Sequence, residues 1–314
     1  MSDRRAFLKS LAAAVAVSRT HSAFGSQAVP AAKPDPSAAI RKSTLISMLP
    51  RGLSYAERFA LARETGFEAV EMQTIGKQEE AAEILEASKK TGLRIHSVMN
   101  SDHWRLPLSS SDPEVVSGSV KGMETSLRNA ALWGADAVLL VPAVVDANTS
   151  YRYAWTRSQK VIRERLLPMA RDLKVTIAVE EVWNKFLLSP IEFVRYVDEF
   201  ESPLVRAYFD VGNVVFYAFP QDWIRTLGSR IVKIHLKDFS LDRRNGSFTW
   251  KNLGEGDIDW PEVRRALAEI KYNGYVTTEL SAAGSTDRTV VSTYLKDVSA
   301  RVDRFLAGEK PVAS

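Results

Sequence analysis

Residues 205–238 read VRAYFDVGNVVFYAFPQDWIRTLGSRIVKIHLKD. Two runs rich in β-branched and aromatic residues, Val205–Phe209 and Ile231–Leu236, bracket a short helical pattern around Trp223–Leu227. Runs of that length and composition predict strands. A strand, a helical crossover and a second strand make a parallel unit. The first run stops on Asp210, and the second carries His235 at its end and leads into Lys237 and Asp238. Titratable groups thus stand where strands end.

The pattern continues in both directions. Upstream, Val175–Val179 ends on Glu180-Glu181, and downstream Gly274–Glu279 ends on Glu279. Further strands are expected at Ser43–Leu49, Glu68–Met72, Leu93–Met99 and Ala137–Val141. Helices are expected from Ser54 to Thr65, over Gln78–Thr91, from Pro113 to Trp133, up to about Leu173, over Pro190–Phe200, from Trp260-Pro261, and over Asp287–Leu306. Gly66, Gly92 and Gly134 follow three of them, as helix C-terminal caps do. Eight β runs therefore alternate with eight helical runs without a break in composition. This predicts an α/β protein with a single (β/α)8 TIM barrel. A doubly wound open sheet would also alternate. The count of eight, the polar residues ending several strands and the lack of a Gly-rich loop after the first strand favour the barrel.

In such a barrel all strands open at their C-terminal ends onto one face. Glu180, Asp210, His235 and Glu279 would converge there. Three carboxylates at one point repel each other and resist ionisation. A divalent cation removes the conflict, so one metal ion is expected on these four. Oxygen ligands with one imidazole favour Mn²⁺ or Mg²⁺ and admit Zn²⁺ or Co²⁺. Alternation along the strand puts Ala178 and Glu180 on one face, which favours Glu180 over the neighbouring Glu181 as the ligand.

Length and composition set the remaining bounds. The chain has 314 residues, 45% hydrophobic and 25% charged, with no cysteine. Disulfides and thiolate metal sites are excluded. The formal charge is +4, but without the first 25 residues it falls to 38 basic against 37 acidic, near +1. That balance gives no footing for nucleic acid or anionic membranes. Residues 1–25 resemble a twin-arginine signal peptide, with Arg4-Arg5 before a short apolar stretch, Leu11–Val17, and cleavage expected after Gly25. That stretch is too short for a stable membrane anchor. The expected organisation is signal 1–25, disordered leader 26–40, barrel 41–308 and tail 309–314. The export machinery is an expected partner of the precursor, and a periplasmic or secreted location is expected.

The motifs Val179-Glu180-Glu181-Val182-Trp183-Asn184, Phe209-Asp210-Val211-Gly212-Asn213, His235-Leu236-Lys237-Asp238, Gly254-Glu255-Gly256-Asp257-Ile258-Asp259-Trp260 and Thr278-Glu279-Leu280 together resemble the xylose isomerase-like barrel family. The resemblance spans nearly all of residues 43–306. That family includes sugar isomerases, ketose 3-epimerases, keto-sugar dehydratases and the endonuclease IV type of repair enzyme. It implies one divalent metal on Glu180, Asp210, His235 and Glu279. It also implies a small carbohydrate substrate and proton transfer by Glu180 and Glu279 from opposite faces of a keto-sugar.

The expected function is a metal-dependent sugar isomerase or epimerase acting on an unphosphorylated keto-sugar. The alternative is a lyase or dehydratase eliminating from a 3-keto-sugar or keto-glycoside, and a non-catalytic sugar-binding barrel ranks below both. A repair nuclease would need more histidines than the four present. Substrate contacts are expected from His96, Glu71, Trp104, Trp183, Asn213 and Lys237, with Asn213 standing where many relatives have histidine. His103 is expected at the surface, Asp238 as a support or loop anchor, and Arg243 and Arg244 as a solvated pair. Trp133, Trp223 and Trp260 are expected in packing, and Trp250 in a loop on the catalytic face. Homo-oligomerisation is compatible with all of this.

Overall fold

A computed structural model describes residues 40–313 except Arg243. The expected signal peptide, most of the leader, and Arg243 lie outside the described residues. The strands are β1 (Arg41–Leu45), β2 (Ala69–Gln73), β3 (Arg94–Met99), β4 (Ala137–Leu140), β5 (Thr176–Glu180), β6 (Val205–Asp210), β7 (Ile231–Leu236), β8 (Asp238–Asp242), β9 (Ser247–Lys251) and β10 (Tyr275–Thr278). Eight of them close a barrel in the order β1-β10-β7-β6-β5-β4-β3-β2, every pairing parallel. The fold is the expected (β/α)8 barrel.

The helices are α1 (Tyr55–Glu64), α2 (Gln78–Thr91), α3 (Pro113–Trp133), α4 (Tyr151–Val161), α5 (Leu167–Leu173), α6 (Pro190–Asp198), α7 (Pro220–Leu227), α8 (Trp260–Glu269) and α9 (Arg288–Leu306). Their starts are written locally. Ser54 and Glu57 exchange side-chain and backbone bonds in a capping box at α1. Asp112, Ser189, Asp259 and Asp287 cap α3, α6, α8 and α9 by accepting backbone N–H groups. Among the described residues no helix is long and apolar enough to cross a membrane.

The main core lies between barrel and helices, and includes Trp133, Trp223 and Trp260 as expected. A smaller cluster of Ala137, Leu139, Val141, Ala178, Val182 and Tyr208 alternates with it along the strands and fills the barrel interior. Two register shifts interrupt the parallel ladder, at Val70/Glu71 in β2 and at Ala207/Tyr208 in β6. Such irregularities re-aim side chains.

Three expectations need correction. The first strand ends at Leu45 rather than Leu49, because Ile46–Met48 turns into a 3-10 helix. Ile46, Met48 and Leu49 are buried in either conformation, so apolarity cannot tell the two apart. The helix expected up to Leu173 is broken by a π turn at Ile162–Leu166, just ahead of Leu167-Pro168, where the proline has no N–H to continue a regular ladder. The segment after β7, expected as a loop, is an antiparallel hairpin of β8 and β9.

Candidate metal centre

Strand ends supply the four expected residues. Glu180 closes β5, Asp210 closes β6, His235 lies one residue from the end of β7, and Glu279 follows β10. One ligand-type atom from each lies within 4.8 Å of all the others. His235 Nδ1 faces Glu180 Oε1 at 3.0 Å, Glu279 Oε2 at 2.9 Å and Asp210 Oδ2 at 3.8 Å. Glu181 stays outside this group. Its Oε1 accepts the backbone N–H of Asp210 at 2.9 Å, behind the strand end.

The cluster's proton affinities reflect burial and charge. Burial pushes the Glu180 carboxyl up to about 7, with Glu279 and Asp210 adding repulsion and His235 opposing. Burial also raises Asp210, against the pull of Lys237. For Glu279 burial works upward too, but Lys237 and His235 outweigh it and hold the group below the ordinary carboxylate range. Lys237 Nζ reaches Asp210 Oδ2 at 3.0 Å and Glu279 Oε2 at 2.9 Å. Those two oxygens are buried and accept no aligned hydrogen bond, despite the ion pairs.

These observations fit a divalent cation. Three carboxylates crowd around one imidazole and one ammonium, and two of their buried oxygens lack aligned donors. The donor set is three hard oxygens and an imidazole nitrogen. The set could hold such an ion through Glu180, Asp210, His235 and Glu279. Asp210 is prepared for the task, since its Oδ1 takes the N–H groups of Gly212 and Asn213, both at 2.8 Å. Gly212 permits this turn, because a Cβ there would lie 2.8 Å from the Lys237 carbonyl oxygen.

His235 is fixed from behind by a residue with a different expected task. Its Nε2 lies 2.6 Å from Glu71 Oε2, which also accepts the Tyr208 hydroxyl at 2.9 Å. Burial lowers the proton affinity of the ring, but without a cation the neighbouring Tyr208, Glu71 and Glu279 outweigh it and raise that affinity, so Nδ1 can donate to Glu180 and Glu279. With Nε2 held by Glu71, Nδ1 is the nitrogen that a cation could take in place of that proton. The expectation that Glu71 touches substrate is therefore corrected, since it is fully buried under the imidazole. Both Glu71 and Tyr208 directly follow the register shifts of their strands.

The other expected contacts divide. Lys237 lines the cleft beside Glu279. His96 does not reach it. Its ring is fully buried, stacked on Tyr275 at 4.4 Å and bonded to Thr277 Oγ1 at 3.0 Å, and burial followed by Lys233 lowers its pKa. Asn213 is buried and serves its loop, with its amide N–H on the Glu181 carbonyl and its own carbonyl accepting the Trp183 indole N–H at 2.8 Å. Trp183 packs on Trp250 of the hairpin, at 5.1 Å. Trp104 is exposed, edge-on to His103. His103 is buried, not at the surface, and burial pulls its pKa down to about 4.

Asp238 is a loop anchor. Its Oδ2 accepts from Gly254 N at 2.8 Å, Gly256 N at 3.1 Å and Trp260 Nε1 at 2.9 Å. The hairpin went unread although it carries its signal. Asn245-Gly246 is flanked by the alternating pairs Phe239/Leu241 and Phe248/Trp250, and Gly246 has φ of +65°.

A parallel (β/α)8 barrel with a carboxylate and imidazole cluster at its C-terminal mouth defines a class of barrel whose mouth could hold a divalent cation. Residues 59–295 match the xylose isomerase-like TIM barrel family, and the chain belongs to that family. It is 28% identical over 243 residues to an L-ribulose-5-phosphate 3-epimerase of Escherichia coli O1:K1, covering 72% of this chain and 81% of the relative. A D-psicose 3-epimerase structure determined in the presence of D-fructose superposes with TM-score 0.69 at 18% identity, covering 86% of this chain and 100% of that one. A 3-keto-D-glucoside 4-epimerase from E. coli superposes with TM-score 0.67 at 17% identity, covering 84% and 99%.

Proposed function

We propose that the protein is a divalent-metal-dependent sugar epimerase acting on an unphosphorylated keto-sugar, with Glu180 and Glu279 as the acid–base pair. The observation that carries the reading is the convergence of Glu180, Asp210, His235 and Glu279 at one point of the barrel mouth. The epimerase named among its relatives by sequence gives the direction.

A cation bound by these four residues would polarise a ketose carbonyl and acidify the adjacent C–H. The protein's own groups then move the proton. Glu180 and Glu279 come from β5 and β10, with β6 and β7 between them in the barrel. They therefore approach a bound carbon from different sides. One takes a proton from one face, and the other returns a proton to the opposite face. Glu279 stands at the open cleft with Lys237, which tethers it to Asp210. Lys237 is thereby engaged by two carboxylates, which leaves it poorly placed to take a phosphate.

The test uses Glu180→Gln and Glu279→Gln, which keep an oxygen and remove the titrating group. Each is expected to lose roughly a hundredfold or more in turnover while still binding the cation. In D2O the wild type is expected to place deuterium on the reacting carbon of a ketose. Near-normal turnover in both variants, or an eliminated second product in place of deuterated epimer, counts against the reading. We also propose twin-arginine export to the periplasm, carried by Arg4-Arg5. Replacing both by lysine should hold the precursor in the cytoplasm on cell fractionation, and unchanged export would refute the assignment.

A further inference from the structure

The cleft over Glu279 and Lys237 does not stop at the metal centre. It encloses about 500 Å³ and runs on to Trp250, Asn252 and Tyr294. Its two ends differ in chemistry. The inner end holds a carboxylate and an ammonium, and the outer end an indole, an amide and a phenol.

The indole is supported from behind. Trp250 stacks on Trp183 with an interplanar angle of 20°. Trp183 in turn stands edge-on to Phe239 at 5.4 Å and to Phe248 at 4.9 Å. The hairpin register places Phe239, Trp250, Leu241 and Phe248 on one face, so this support follows from the strand pairing. Trp250 nevertheless remains 44% exposed, and Lys237 Nζ lies 5.2 Å from its ring centre. A ring braced by an aromatic cluster, still accessible, and next to the Lys237 ammonium is a preorganised stacking surface.

We infer that the outer half of the cleft is a second sugar subsite, in which Trp250 stacks on a ring attached to the reacting ketose. The inference rests on the epimerase reading and deepens it, naming the substrate class as a ketose that carries a glycosidic substituent. The apolar C–H face of a pyranose complements an indole, and its rim hydroxyls can donate to the phenol oxygen of Tyr294 and the amide oxygen of Asn252, which are held in place by bonds to the Ser281 carbonyl and the Leu253 N–H. A phosphate is a poorer match. Of the two cations lining the cleft, Lys237 is already paired with Asp210 and Glu279, which leaves Lys251 alone to meet a dianion.

Calorimetric titration of the Mn²⁺-loaded protein with D-fructose, D-fructose 6-phosphate, maltulose and isomaltulose tests this, the last two being fructose bearing a glucosyl ring. The glucosylated ketoses are expected to bind roughly tenfold tighter than D-fructose, the scale of one aromatic contact. The preference should fall to near unity in Trp250→Ala and survive in Trp250→Tyr, which keeps a ring and controls for misfolding. Equal binding of all ketoses by the wild type, tightest binding of D-fructose 6-phosphate, or a preference that persists in Trp250→Ala overturns the subsite. So does an oligomer that dissociates in Trp250→Ala while the preference stays, since the hairpin would then join copies of the chain. Deuterium incorporation is read separately. Its absence from every ketose, with the binding preference intact, would reject the epimerase reading and leave the subsite standing.

Discussion

The imidazole of His235 meets carboxylates at both nitrogens, and the two sides do different things. Glu180 and Glu279 face Nδ1, where a cation would be shared, whereas Glu71 faces Nε2 at 2.6 Å with Tyr208 as its second donor. The Glu71 contact holds the ring plane and favours a proton on Nε2. Glu71→Leu should therefore weaken divalent-cation affinity by roughly 10–100-fold, measured by calorimetry with Mn²⁺. Glu71→Gln should retain much of that affinity, because its amide oxygen can still accept the Nε2 proton. Equal affinity in the leucine variant would show that packing alone positions the ring. The four cluster residues were legible in the sequence because each ends a β run. The role of Glu71 was not. It depends on a contact with Tyr208 across the barrel and on a register shift in each strand, and neither leaves a mark in local composition.

Among the elements, the β8–β9 hairpin shows how a strong local signal is lost inside a global pattern. An alternation of eight strands and eight helices accounts for the barrel, and a segment between β7 and α8 is then read as connection. Asn245-Gly246 and the flanking alternation state otherwise. Asp238 opens the hairpin and gathers the following loop by accepting two backbone N–H groups and the Trp260 indole N–H. It is fully buried, so its removal leaves three donors without an acceptor. Asp238→Ala should cost about 1–3 kcal/mol of stability, read from urea unfolding. If the hairpin is the outer wall of the cleft, the same variant should also raise KM more than it lowers kcat. A stability equal to wild type would mean that Gly254, Gly256 and Trp260 find other acceptors.

At the scale of the whole molecule, the metal centre joins elements that are distant in the chain. Glu180 and Glu279 are separated by 99 positions, yet they meet through β5, β6, β7 and β10, which are neighbours in the barrel. Burying three carboxylates at one point opposes folding, and Lys237 offsets only part of the charge. A cation that binds the folded barrel and not the unfolded chain shifts the equilibrium by mass action. At a hundred times its Kd the gain is about 2.7 kcal/mol, which for a domain of this size corresponds to roughly 5 °C in Tm. Chelator-treated protein should therefore melt lower than protein supplied with Mn²⁺, by differential scanning fluorimetry. Asp210→Asn should shrink that difference, and should itself melt no lower than the chelated wild type, because it removes one buried charge while keeping an oxygen on the Gly212 and Asn213 N–H groups. A cation-independent Tm in the wild type would mean that Lys237 alone compensates the cluster. The barrel would then have no thermodynamic use for the ion at its mouth.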